Sequence, residues 1–164
     1  MTTLAFPSDL FPAAPHVWLT VPADWRPAAT VTTDVAAVAP EVDGFRPNVV
    51  VVVNRRPPGM VVGVALDEIA SESQQRPQGS VSEPFEVELN GRTWAGCDLE
   101  WDDPRAGRLV QLHLFAVIDG PAEAALPFLV QVTGSCLASR EAEDIPRLRE
   151  VMSSVVVTPW TASA

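Results

Sequence analysis

Two histidines, His16 and His113, are all that this chain offers for acid–base chemistry near neutral pH. His16 follows Pro15 at the start of the first expected strand, a solvent-facing position. His113 lies mid-strand on the face that carries Gln111, out of phase with Leu112 and Leu114. The triad that neighbouring strands would have to assemble around it uses Ser135 and Asp98. Ser135 lacks the sharp strand-to-helix turn that exposes a nucleophile. The plain reading is a polar strand residue facing water or a helix, and no catalytic residue is expected.

Other chemistries fail on residue supply. All 11 basic residues are arginine, and the absence of lysine excludes Schiff-base catalysis, a P-loop lysine and a Ser-Lys dyad. Asp98, Glu100, Asp102 and Asp103 crowd the end of one expected strand, where hard oxygen ligands could hold Ca²⁺ or Mg²⁺. Their spacing is not that of an EF-hand loop, and Pro104 with Gly107 marks a solvated turn, so no metal is expected. Glu141, Glu143 and Asp144 read as the acidic first turn of a helix, which the helix dipole favours. The nine glycines are scattered singly, without a phosphate cradle, and Val62-Gly63-Val64 reads as a plain turn. Cys97 and Cys136 fall on apolar strand phases, which predicts buried reduced thiols rather than a disulfide or a zinc site. No cofactor is implied.

What remains is apolar and aromatic. Of five tryptophans, Trp18 shares the phase of His16 and Thr20, and Trp94 shares that of Gly96, Asp98 and Glu100. Both phases oppose the neighbouring apolar residues. The expectation is that both rings lie on the second face of a sheet, together with Gly96, Gln111, His113, Gln131, Thr133 and Ser135. Such a face is either covered by a helix or lines a groove for a partner. These eight residues are the candidate binding surface.

The elements that must position them follow from periodicity. An irregular arm, residues 1–15, holds Pro7, Pro12 and Pro15. Strands are expected over residues 16–21 and 30–38, and Val49 to Val53 leaves neither face polar, as in a strand covered on both sides. Leu66, Ile69 and Ala70 recur at helical spacing over residues 64–76, with acidic residues in the first turn, and Pro77 ends the helix. From residue 80 to 138 the period becomes two, in a four-stranded antiparallel meander whose first hairpin turns at Asn90-Gly91. Ile145, Leu148, Val151, Met152 and Val155 mark a second helix over residues 142–155. Val156-Val157-Thr158 closes the chain as a short strand or an arm, and residues 159–164 form a tail. The fold class is α+β: an antiparallel sheet of six to seven strands packed with two α-helices, one domain over residues 16–158.

Charge narrows the partners. A net charge of −10 repels phosphate backbones, and Arg55-Arg56 is the only tight basic pair, so no nucleic acid is expected. No stretch approaches the ~18 apolar residues of a membrane span. Met1 to Pro7 has neither the basic nor the apolar region of a signal peptide, and the expected location is the cytoplasm.

Short segments in this order resemble the PsbP-like fold. They are Val21-Pro22-Ala23-Asp24-Trp25, Phe45-Arg46-Pro47-Asn48-Val49-Val50-Val51, Arg92-Thr93-Trp94-Ala95-Gly96, and the closing helix and strand from Leu148 to Val157. That superfamily includes the photosystem II extrinsic protein PsbP, a Ran-binding import factor, and the bacterial DcrB and LpqN families. The resemblance covers residues 16–158 in pattern and order, and transfers no catalytic residue. LpqN-type proteins are usually lipoproteins; this chain has no signal or lipobox cysteine, so an anchored role does not carry over. Signal-less members include secretion chaperones resembling the effector-associated Eag proteins, which shield apolar segments of secreted toxins.

The leading expectation is therefore a non-enzymatic binding module, a cytoplasmic adaptor or chaperone that holds a protein or peptide client on its sheet face. Two alternatives stay open. One is a small-ligand protein with a helix–sheet pocket and weak hydrolase activity; the other is a structural subunit that assembles as a homodimer or larger homo-oligomer.

Overall fold

The computed structural model describes residues 3–161. Along the chain the elements are β1 (His16–Trp18), β2 (Arg26–Pro27), β3 (Val35–Val38), β4 (Asn48–Arg55), α1 (Val62–Gln75), β5 (Ser80–Val81), β6 (Phe85–Leu89), β7 (Arg92–Asp103), β8 (Gly107–Ile118), β9 (Phe128–Leu137), α2 (Glu141–Ser153) and β10 (Val156–Thr158). The main sheet is antiparallel in the order β2-β3-β4-β9-β8-β7-β5, and β6 pairs β7 further along the same edge. β1 and β10 form a separate two-stranded ribbon.

The Asn90–Gly91 turn sets the register of the β6–β7 edge. Both residues have positive φ, 50° and 75°, the left-handed pair that a two-residue type I′ hairpin demands. Leu89 consequently faces Arg92, Val87 faces Trp94 and Phe85 faces Gly96. The expected strand from residue 80 to 89 is broken into β5 and β6. Pro84 has no N–H to give a ladder, and Ser82 takes over locally. Its N–H donates to the Asp98 carbonyl and its Oγ accepts from the Asp98 N–H, each at 2.9 Å.

Each helix lies on its own face and over its own half of the sheet. α2 packs on β9 and β4, where Leu148, Val151 and Met152 meet Val49, Val51, Val130 and Val132. Gly134 permits this approach, because a Cβ there would stand 2.8 Å from Met152 Sδ. α1 packs on the other face against β7 and β5, setting Ala65 and Ile69 on Cys97, Leu99 and Trp101.

Several expectations are corrected. The main sheet has eight strands rather than six or seven, with the ribbon in addition. Cover over the valine strand is complete on one side only: Val49 and Val51 are fully buried under α2, while Val50 and Val52 are half-buried. α1 begins at Val62, so Val62-Gly63-Val64 is helical, and Asp67 and Glu68 fall beyond the first turn. β3 starts only at Val35; upstream, the Thr30 hydroxyl accepts from the backbone N–H groups of Thr32 and Thr33 and holds a turn. β1 ends at Trp18, three residues early. Of the expected arm and tail, residues 1–2 and 162–164 lie outside the described residues.

Leu148 is completely buried at the centre of the α2 contact. Leu148→Ala should cost about 2–5 kcal/mol in urea unfolding. Val31→Ala, at a fully exposed site, should change stability by less than about 0.5 kcal/mol.

Candidate functional site

Between the C-terminal half of α2 and β6 runs an open groove of about 640 Å³. Leu112 and Leu114 of β8 form its floor, Val87, Leu89 and Phe85 one wall, and Met152 the other. The Phe85 ring rests on Gly96: a Cβ at that glycine would stand 2.6 Å from a ring carbon, so any larger residue would lift the wall. Asn90 closes one end. Its side-chain amide donates to the carbonyls of Ser153 (3.2 Å) and Val155 (2.7 Å), tying the hairpin to the end of α2.

The groove's polar groups are few and sit at its margins. Asp98 lies 3.7 Å from Arg149 in an ion pair across the strip. Burial raises the pKa of the Asp98 carboxyl; Arg149 opposes the shift and Glu100 adds to it. Glu83 lies at the outer margin of the groove, and Glu86 borders it between Phe85 and Val87 on β6. The hydroxyls of Ser82 and Ser153 donate to the carbonyls of Glu83 and Glu150. No imidazole side chain faces these serines, because the side chain of His113 projects from the opposite face of the sheet.

The eight candidate residues do not share one face. Gly96 pairs with Leu114, so Trp94 and Gly96 belong to the α2 face. Gln111, His113, Gln131, Thr133 and Ser135 lie on the α1 face and form a polar ladder. Trp94 is almost fully buried in the α2-side core. Trp18 is on the ribbon opposite Val156, half exposed, 5.7 Å from the His16 ring centroid. Of the eight, only Gly96 and His113 border the groove: Gly96 lies beneath the Phe85 ring, and the backbone carbonyl of His113 stands 2.6 Å from where a Gly96 Cβ would be. The eight candidates omit Phe85, Val87, Leu89 and Met152; the sequence signals for them are the alternation of β6 against its two glutamates and the apolar stripe of α2.

The register also takes the triad apart. Asp98 pairs with Leu112 and points away from His113. Ser135 Oγ accepts from the Gln111 amide at 3.1 Å. His113 is buried, stacked on Phe115 at 5.9 Å, with Nδ1 3.3 Å from the Gln131 amide and 3.2 Å from Thr133 Oγ1. With the amide donating, Nδ1 accepts and Nε2 carries the proton; among the described residues Nε2 has no partner. Burial lowers the His113 pKa to about 4, with Glu72 opposing and Arg76 adding to the shift.

Carboxylates and thiols are held separately. Glu100 and Asp102 both accept from Arg108, at 2.9 and 3.1 Å. Asp103 accepts from the backbone N–H groups of Arg105 and Ala106 and caps the turn, which lowers its pKa. Among the described residues no group of three or more His, Cys, Asp or Glu is arranged to hold a metal ion. Cys97 and Cys136 are free, buried and on opposite faces of the sheet, so they cannot bridge. Burial pushes both thiols up to about 11.

His113 gives the fold an acid limit. Between its ordinary value of 6.5 and the folded value of about 4, the unfolded chain binds a proton that the folded chain refuses. The contribution to stability is complete above the ordinary value and is lost as pH falls through this window, by up to roughly 3 kcal/mol. Urea midpoints at about pH 7.5 and pH 4.5 should therefore differ more for the wild type than for His113→Gln. Equal differences would contradict this assignment.

No family model and no curated protein matches the chain. Solved structures do. LpqN of Mycobacterium tuberculosis, involved in cell envelope biogenesis, superposes with a TM-score of 0.72 at 16% identity, over 90% of this chain and 86% of that one. The cyanobacterial PsbP of Synechocystis gives 0.58 at 14% identity, covering 96% and 98%. A Pseudomonas aeruginosa protein of unknown function gives 0.52 at 11%, covering 89% and 84%. No helix among the described residues is long and apolar enough to cross a membrane. At these identities the likeness concerns architecture: the chain has the PsbP-like α+β fold that its short motifs resemble.

Proposed function

We propose that this protein is a non-enzymatic binding module, a cytoplasmic adaptor or chaperone that holds an apolar segment of a protein client in the groove between α2 and β6. The observation that carries the reading is the groove itself. It joins six apolar side chains over a continuous strip, and such exposed strips on a small acidic domain mark interaction sites. Its margins carry carboxylates, one arginine and two serines whose hydroxyls donate to backbone carbonyls. The net charge of −10 keeps the free module soluble and favours apolar or basic clients.

A second reading rests on size. A volume of about 640 Å³ lies within the range of small-molecule pockets, roughly 300–1,000 Å³, and would suit a compact apolar ligand.

The test is co-purification of the tagged protein from its own cells, with Phe85→Asp and Val31→Asp in parallel. Phe85 is 40% exposed on the groove wall, and Val31 is fully exposed elsewhere. A stoichiometric protein partner retained by Val31→Asp and lost in Phe85→Asp is the expected outcome. A bound small molecule seen by native mass spectrometry, with no protein partner, would favour the second reading. A partner retained equally by both variants would overturn the groove.

A further inference from the structure

We infer that the client docks as an extended strand added to the outer edge of β6, with apolar side chains alternating with basic ones. This rests on the groove being part of the binding site: the added strand lies along the outer side of its β6 wall and widens the apolar surface that the groove begins.

Among the described residues β6 pairs with β7 alone, so its other edge is open. In a two-residue hairpin the residues flanking the turn, Leu89 and Arg92, form the mutually hydrogen-bonded pair. Every second residue from Leu89 then bonds inward, so the N–H and C=O groups of Glu86 and Glu88 point outward, unpaired by the ladder. An exposed edge of this kind is a template for a further strand.

Side-chain alternation along β6 then dictates the client's pattern. Strand alternation sends the side chains of Phe85, Val87 and Leu89 to the groove face and those of Glu86 and Glu88 to the opposite face, where both are exposed. There Glu88 accepts from the Thr93 hydroxyl; Glu86 borders the groove from within β6. A strand laid against β6 would set alternate side chains beside the apolar wall, extending the groove lining. Its intervening residues would stand opposite the two glutamates, where a lysine or arginine is favoured and an acidic residue is repelled.

The same glutamates argue against a second copy of this chain as the occupant. An antiparallel β6–β6 pair centred on Val87 would set Glu86 of each chain opposite Glu88 of the other. Like charges directly opposite destabilise a ladder, and inserted charge is a common protection of sheet edges. The edge is thus closed to itself and open to a basic strand.

The test uses the full chain and two capped peptides of about nine residues, with identical leucine and lysine content. One alternates the two residues; the other spaces leucine at helical period. The expected result is binding of the alternating peptide, with slowed amide exchange at Glu86 and Glu88 in NMR spectra. Affinity should weaken by at least about tenfold in the Glu86→Lys/Glu88→Lys double variant, both of whose positions are exposed. Binding of the helical-period peptide in the groove, without protection of these two amides, would overturn strand addition and leave the groove reading standing. Absence of groove-dependent binding by either peptide would overturn both.

Discussion

Strands sit about 4.8 Å apart and a helix with its side chains is about 10 Å across, so one helix covers little more than two strands. An eight-stranded sheet carrying one helix per face is therefore left partly bare on both sides. Most other features of this molecule answer that shortage. The β1–β10 ribbon turns Val17 and Val157 onto the α2-side core. Phe45 and Met60 pack around α1 on the other face. Beside β4, on the face α1 does not reach, exposure is tolerated by the Gln131–Thr133 ladder and by half-buried Val50 and Val52. Between α2 and β6 no described residue answers it, and the apolar strip stays open.

The groove keeps its shape through contacts at its two ends rather than along its length. Asn90 must adopt a left-handed conformation for the hairpin, and its side chain then satisfies two carbonyls at the end of α2. The Ser153 carbonyl is among those a helix end leaves without internal partners, and the Val155 carbonyl lies just beyond it. One residue thereby serves the turn, the helix terminus and the spacing of the groove walls. At the other end, the Asp98–Arg149 pair links the sheet to α2, and Gly96 gives the Phe85 ring a seat flat on the backbone. α2 cannot slide across to close the strip without leaving its own seat at Gly134.

Much of this fold was legible in the chain because its signals are local. Asn90-Gly91 specifies a turn type, Leu148 and its neighbours a helical stripe, and the alternation after residue 80 a meander. The candidate site was less legible because its geometry depends on which face each apolar phase meets. On β7 the apolar phase, Cys97, Leu99 and Trp101, faces α1; on β8 the phase Val110, Leu112 and Leu114 faces α2. Adjacent strands thus present opposite phases to one face, and Leu112 stands opposite Asp98. Assuming a shared apolar face placed Trp94 and Gly96 with Gln111 and Ser135, when the sheet lies between them. Only the position of the helices, a long-range property, decides this.

The strip along Phe85 is open in the free protein, and a client of the kind proposed would cover it. Both native thiols are buried with pKa values of about 11, so neither competes for a thiol reagent near neutral pH. Phe85→Cys places a single reactive thiol on the groove wall, and its rate of maleimide modification can be read with and without the co-purified partner. Rapid modification of one thiol per chain is expected in the free protein, slowing by at least about tenfold with the partner bound. An unreactive thiol in the free protein, or a rate unchanged by the partner, would contradict the groove reading.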